Sequence, residues 1–259
     1  MRARPSRRDV LRLGLGLLAS WLAPSPAAAA PTRLYFSSSE VTPVTPSFAA
    51  WSEVDGAVRR RMRTSLFADP LANGATLASA LGADQLHRQY VSDPLVAGIA
   101  FVTTDTVSCQ IQGFESAAND NIGERTQDLR VFSRDGLTLR ATLILLGSVS
   151  VSGAEWATAL QNLTFLSAGQ VVPPTPLQAN YTTVDGDRLV LEVGHQGFGT
   201  SIAGTLRFGA DSAGTGDLGL NETDTITTLR PWFESSRELT FEAAGGGVVG
   251  ERTLRGVGL

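Results

Sequence analysis

A chain of 259 residues, 42% hydrophobic and 18% charged, with a mean hydropathy near zero, is neither a polytopic membrane protein nor a charged disordered chain. One cysteine excludes an intrachain disulfide framework and a cysteine-rich zinc site, and two histidines are too few for a multi-histidine metal centre. All 21 basic residues are arginine; removal of residues 1–29 takes away five of them together with Asp9 and leaves a formal charge of −8, which offers no general attraction to nucleic acid or to anionic membranes.

The chain opens with Ser6-Arg7-Arg8-Asp9-Val10-Leu11-Arg12, the pattern of a twin-arginine export signal, followed by an apolar stretch from Leu13 to Ala23. That stretch is too short for a permanent membrane anchor. Small residues then accumulate up to Pro31, and cleavage after Ala29 puts Ala27 and Ala29 in the two small-residue pockets of a signal peptidase. Residues 1–29 are thus expected to be a signal peptide, and the mature chain to be periplasmic or extracellular.

Residues 30–85 read as an irregular N-terminal arm. Arg33–Phe36 suggests a short strand, Pro43 and Pro46 hold the chain extended, and the spacing of Phe48, Trp51, Val54, Val58 and Met62 predicts one face of a helix. From residue 86 the pattern changes to short alternating runs separated by turn residues, the mark of a sandwich or barrel. Val107, Cys109 and Ile111 form one face of such a run, and Leu189, Leu191 and Val193 another; Arg188, Val190 and Glu192 point the opposite way. Across Arg134-Asp135-Gly136, a three-residue loop with a left-handed Gly136 pairs Val131 with Leu139 and Leu129 with Ala141. The expected fold is all-β, an antiparallel β-sandwich of jelly-roll type over residues 86–243, with a C-terminal tail over 244–259.

The pieces His87-Arg88-Gln89-Tyr90-Val91-Ser92-Asp93-Pro94-Leu95, Leu129 to Gly136, Gly186 to Gly194 and Gly204 to Gly209 carry a resemblance. They resemble a group of largely uncharacterised, jelly-roll-like proteins common in tailed phages and environmental bacterial sequence. The resemblance spans about residues 33–242 and rests on strand and turn patterns. It implies a structural or surface-binding module and supplies no catalytic residues.

Candidate chemistry is sparse. No Gly-x-Ser-x-Gly elbow is present, and a histidine base is confined to His87 and His195. His87 lies in an alternating run and reads as structural. His195 and Phe198 lie in the glycine-rich stretch Gly194–Gly199, and Trp156 follows Gly153-Ala154-Glu155; these three are the candidate ligand-binding residues, with Trp156 as an exposed sugar-stacking platform. Glu53-Val54-Asp55 begins the same-face acid pattern of a sandwich glycosidase, but Val58 occupies the place of a third acid. Asp211, Asp217, Asn221, Glu222 and Asp224 are hard oxygen ligands that could hold a structural calcium, without EF-hand spacing. No other cofactor is expected. The arginine run Arg59-Arg60-Arg61 with Arg63 reads as a solvated or carboxylate-paired face, and Cys109 as a buried small hydrophobe.

These readings favour an exported, non-enzymatic β-sandwich that binds a surface, with carbohydrate or another cell-surface polymer as the partner. A structural protein of a phage-like particle is the alternative, and a polysaccharide hydrolase or lyase with unidentified acids a further one.

Overall fold

The computed structural model describes residues 30–71, 73–117, 122–124, 127–145, 156–165, 175–197, 202–220 and 224–243. Strands in chain order are β1 (Thr32–Phe36), β2 (Val58–Arg63), β3 (Gly74–Ser79), β4 (Asp84–Ser92), β5 (Ala100–Phe101), β6 (Thr106–Glu115), β7 (Ile122–Glu124), β8 (Gln127–Phe132) and β9 (Leu139–Ile144). They are followed by β10 (Gln161–Phe165), β11 (Thr175–Pro176), β12 (Tyr181–Thr182), β13 (Arg188–Gly197), β14 (Ile202–Arg207), β15 (Gly216–Asp217), β16 (Leu229–Arg230) and β17 (Trp232–Ser235). Among the described residues there is no helix, and so none long and apolar enough to cross a membrane.

Hydrogen bonding runs continuously along β3-β14-β6-β17-β1-β2-β4-β13-β8-β9, with β10 and β11 on the other edge of β6 and β7 beside β13. All these pairs are antiparallel except β2–β4. Both halves of the path face one main core. Leu34 and Phe36 of β1, Cys109 and Ile111 of β6 and Phe233 of β17 meet Tyr90 of β4, Leu129 and Val131 of β8 and Leu189, Leu191 and Val193 of β13. The chain is all-β and built as a β-sandwich, as its alternating runs require: a period-two pattern turns one side of each strand toward a shared interior.

The segments before and after residue 86 belong to one unit, and β1, β2 and β3 supply three strands of the principal sheet. The helix expected around Phe48 to Met62 does not form; Val58–Arg63 is a strand lying parallel to β4, and Trp51 and Met62 are buried in different places. The regular spacing arises because residues 42–51 must cover one surface while β2 contributes to another. Val44 packs on Val91, Phe132 and Val190, which form a second small core on the outer side of β4, β8 and β13.

The β8–β9 hairpin also departs from the expected register. Phe132 pairs with Leu139 and Val131 with Ala141, and the ladder shifts on both sides of Arg130–Val131. Ser133 donates its amide to the Thr138 carbonyl, so the connection holds four residues instead of three. Asp135 decides this: Oδ1 accepts from Ser133 Oγ and from the Leu137 amide, which stiffens a longer turn and leaves Leu137 77% exposed. Gly136 does adopt the left-handed conformation, with φ of 75°.

Candidate functional site

Two of the three ligand-binding candidates meet, but in the interior. His195 lies on β13 and His87 on β4, and a bulge between Val193 and Gly194 changes the register there. His87 Nε2 and His195 Nδ1 are 2.6 Å apart, so one neutral ring donates and the other accepts. The Trp156 ring packs on His195 with centroids 5.6 Å apart. Both histidines have no exposed surface and Trp156 only 1%. The exposed sugar-stacking role expected of Trp156 is therefore corrected: its indole fills space beside the histidine pair. Phe198 lies outside the described residues.

Burial governs the titration of the pair. It pushes His195 down to about 3. Burial also holds His87 well below the ordinary histidine range, and the neighbouring charges of His195 and Arg88 add to the shift. The pair is neutral at pH 7, a packed element rather than an exposed base.

A second polar cluster occupies the outer side of the same strands. Glu192, with no exposed surface, accepts from Trp51 Nε1 at 2.6 Å, Gln89 Nε2 at 2.7 Å, Arg130 Nη2 at 2.6 Å and the Ala49 amide at 3.0 Å. Arg130 Nε also lies 3.3 Å from Asp128 Oδ1. One guanidinium thus faces two buried carboxylates. Burial pushes Asp128 up to about 7, against the pull of Arg130 and with the Glu192 charge adding to the rise. Glu192 points away from the main core, as the alternation requires, and its side is covered: Ala49 and Trp51 of the segment before β2 lie over it and donate to its oxygens.

The remaining motifs are accounted for by pairing. Arg61 binds Glu40 and Asp93, Arg59 binds Gln89, and Arg60 donates to the Ser38 carbonyl. Cys109 is buried in the main core, which raises its thiol well above the usual range. Of the calcium candidates, Asp217 is held by Arg33, Arg230 and Tyr35. Asp211 and Asp224 accept amides two residues on, from Ala213 and Ile226. Asn221 and Glu222 lie outside the described residues. Among the described residues no group of three or more His, Cys, Asp or Glu is placed to hold a metal ion.

An open cleft of about 600 Å3 does present itself, lined by Ser52, Glu53, Val54 and Asp55 on one side and Leu77, Ala78, Ser79 and Ala80 on the other, with Gln85 between. Its first wall is anchored by backbone bonds: the Glu53 amide donates to the Asp84 carbonyl and the Leu86 amide to the Glu53 carbonyl. Gly56 turns the chain at its end with φ of 77°, and a Cβ there would lie 2.5 Å from Leu77 Cδ2. The two walls touch where the Ala80 amide donates to Glu53 Oε2 at 3.1 Å. Gln85 Nε2 reaches across to the Asp55 carbonyl at 3.1 Å. The carboxylates stand on one wall, with only Val54 between them in sequence. Among the described residues the facing wall carries no acid, so no carboxylate there opposes Glu53 and Asp55 in the way glycoside hydrolysis needs. The acidic pair Glu53/Asp55 was visible in the sequence; that a strand edge would lie beside it was not.

The fold and cleft together define an all-β sandwich with an open, acidic groove beside β3. No protein-family model matches the chain, and no curated protein matches it either. Similar solved structures include "Structure of infectious bursal disease virus Gx strain", at 13% identity and a TM-score of 0.21, covering 64% of this chain and 37% of that one. Another, "Structure of infectious bursal disease virus Gt strain", has 13% identity and a TM-score of 0.22, covering 62% and 35%. The chain thus spans little more than a third of those chains, and an overlap of that depth assigns it no role.

Proposed function

We propose that the mature chain is an exported, non-enzymatic all-β module that binds a surface polymer through the cleft between Ser52–Asp55 and Leu77–Ala80. The observation that carries this reading is the cleft itself: two runs of consecutive residues flank an open groove with two carboxylates and a glutamine amide along it. Such a groove suits a chain-like ligand laid lengthwise. Its volume falls within the range of small-ligand sites, yet its described lining residues lack the aromatic face that usually stacks a sugar ring. With Trp156 buried, that indole offers a sugar ring no exposed face, and the two arrays below decide between carbohydrate and another polymer. Export rests on the twin-arginine pattern at Arg7-Arg8.

The test is retention of the purified protein on a glycan array and on an array of unstructured peptides. At least one polymer class should be retained, and Glu53→Gln with Asp55→Asn should weaken that retention while the melting temperature holds. Retention unaffected by the double substitution would move the site elsewhere. Retention on neither array would refute the binding function.

A further inference from the structure

Among the described residues β3 is an edge strand. It pairs with β14 through Ile202↔Ser79, Gly204↔Leu77 and Leu206↔Ala75, and the ladder continues with the Phe208 amide donating to the Asn73 carbonyl. Antiparallel pairs alternate between bonded and non-bonded, so the bond at Asn73 makes Ala75, Leu77 and Ser79 the residues that exchange bonds with β14. The N–H and C=O groups of Thr76 and Ala78 therefore point the other way, along the free edge. The Ala80 amide continues that same side, and it already has an acceptor, the Glu53 carboxylate across the cleft. A first rung on this edge is thus occupied by a side chain standing in for a neighbouring strand.

Exposed edges in folded proteins are usually blunted by charge, proline or a bulge. The β3 sequence Gly-Ala-Thr-Leu-Ala-Ser has no charge and no proline, its register with β14 is unbroken, and Gly74, Thr76 and Ala78 are exposed. Its unblunted edge borders the cleft. The opposite wall is negative, with Glu53 and Asp55 and no basic residue among the described lining residues.

Resting on the binding function proposed above, we infer that the cleft takes an extended, basic peptide segment of a partner protein as an added strand on β3. The Thr76 and Ala78 backbone groups pair with the peptide backbone, and Glu53 and Asp55 attract its cationic side chains. Recognition of this kind takes affinity from main-chain hydrogen bonds and selectivity from alternate side chains. A second copy of this acidic chain is the poorer occupant, because it would bring its own Glu53 and Asp55 to the same edge.

The test uses fluorescence anisotropy of a labelled peptide of alternating lysine and threonine with the purified protein. N-methylation of alternate amides in one phase should weaken binding about tenfold, the equivalent of losing one or two net hydrogen bonds, and the same number of methyls in the other phase should leave it unchanged. Ala78→Pro should give a similar loss, since it removes an N–H on the free side and spares the β14 ladder. A glutamate-threonine peptide should bind more weakly, and Glu53→Gln with Asp55→Asn should abolish that difference while keeping the methylation phase effect. Equal binding of both methylation phases would overturn strand addition. Glycan retention without peptide binding would also overturn it and leave the cleft as a polymer site, whereas no polymer at all would remove both readings. A concentration-dependent dimer abolished by Ala78→Pro would replace the peptide with a second copy.

Discussion

The indole nitrogen of Trp51 donates to Glu192 Oε2 at 2.6 Å across 141 residues of chain. This bond ties the covering segment to the sheet, and Trp51 also packs closely on β13: a Cβ on Gly194 would come within 2.4 Å of its ring. Side-chain and main-chain donors from four positions converge on one carboxylate, so the segment and the strands are held as one layer.

Glu192→Ala should therefore be among the most damaging substitutions in the protein, at about 3–5 kcal/mol, because it leaves the Arg130 guanidinium buried without its closest acceptor. Glu192→Gln, which keeps the acceptor oxygen, should cost less. Chemical denaturation of the two variants checks this, and near-wild-type stability of the alanine variant would mean that residues 47–51 do not cover this face.

Asp128 should oppose alkaline stability. Its folded pKa of about 7 lies above the ordinary value of 3.8, so the folded chain holds a proton that the unfolded chain has released. The stabilisation is full below the ordinary value and is lost as pH rises through about 7. Relative to wild type, Asp128→Asn should gain stability as the pH is raised from about 4 to about 8. A difference that does not change with pH would place the proton elsewhere.

The histidine pair acts in the opposite direction. His195 is held at about 3 in the fold and returns to about 6.5 when unfolded, so stability is full above the ordinary value and is lost as pH falls toward 3. Each pH unit over which only the unfolded chain binds the proton removes about 1.4 kcal/mol. His195→Gln should lower stability at neutral pH and flatten the acid limb of the melting-temperature profile, measured by calorimetry across that range.

Trp156→Ala should destabilise by about 3–5 kcal/mol, the cost of emptying a large buried site. Thermal melts distinguish this from the negligible change an exposed indole would give. Trp156→Phe, which keeps an aromatic ring beside His195, should recover part of the loss.

Export should begin with Ala30 as the first residue of the secreted protein, read by N-terminal sequencing or intact mass. Replacing Arg7 and Arg8 together by lysine should trap the precursor. Normal export of that variant would eliminate the twin-arginine route.

The alternation of residues 106–115, 127–132, 188–197 and 202–207 was sufficient for the sequence to specify an all-β chain and to turn Leu189, Leu191 and Val193 toward a core. Side-chain direction in a strand is a local property with period two, so it is legible without knowing what lies opposite. Whether the other side is wet is not local. Glu192 looks like a solvent residue until Trp51, Ala49, Gln89 and Arg130 arrive from four separate positions to satisfy it. The same holds for His87 and His195, 108 residues apart, whose contact is made by the pairing of β4 with β13 and the bulge beside it. Trp156 followed a glycine and two polar or small residues and read as exposed, because nothing in its own neighbourhood records the ring of His195 that it packs against. The cleft, too, belongs to the tertiary structure. Glu53 and Asp55 are visible as an acidic pair, but the strand edge that faces them exists only because β14 pairs with one side of β3 and leaves the other side, where Ala78 and the Ala80 amide lie, beside the opening.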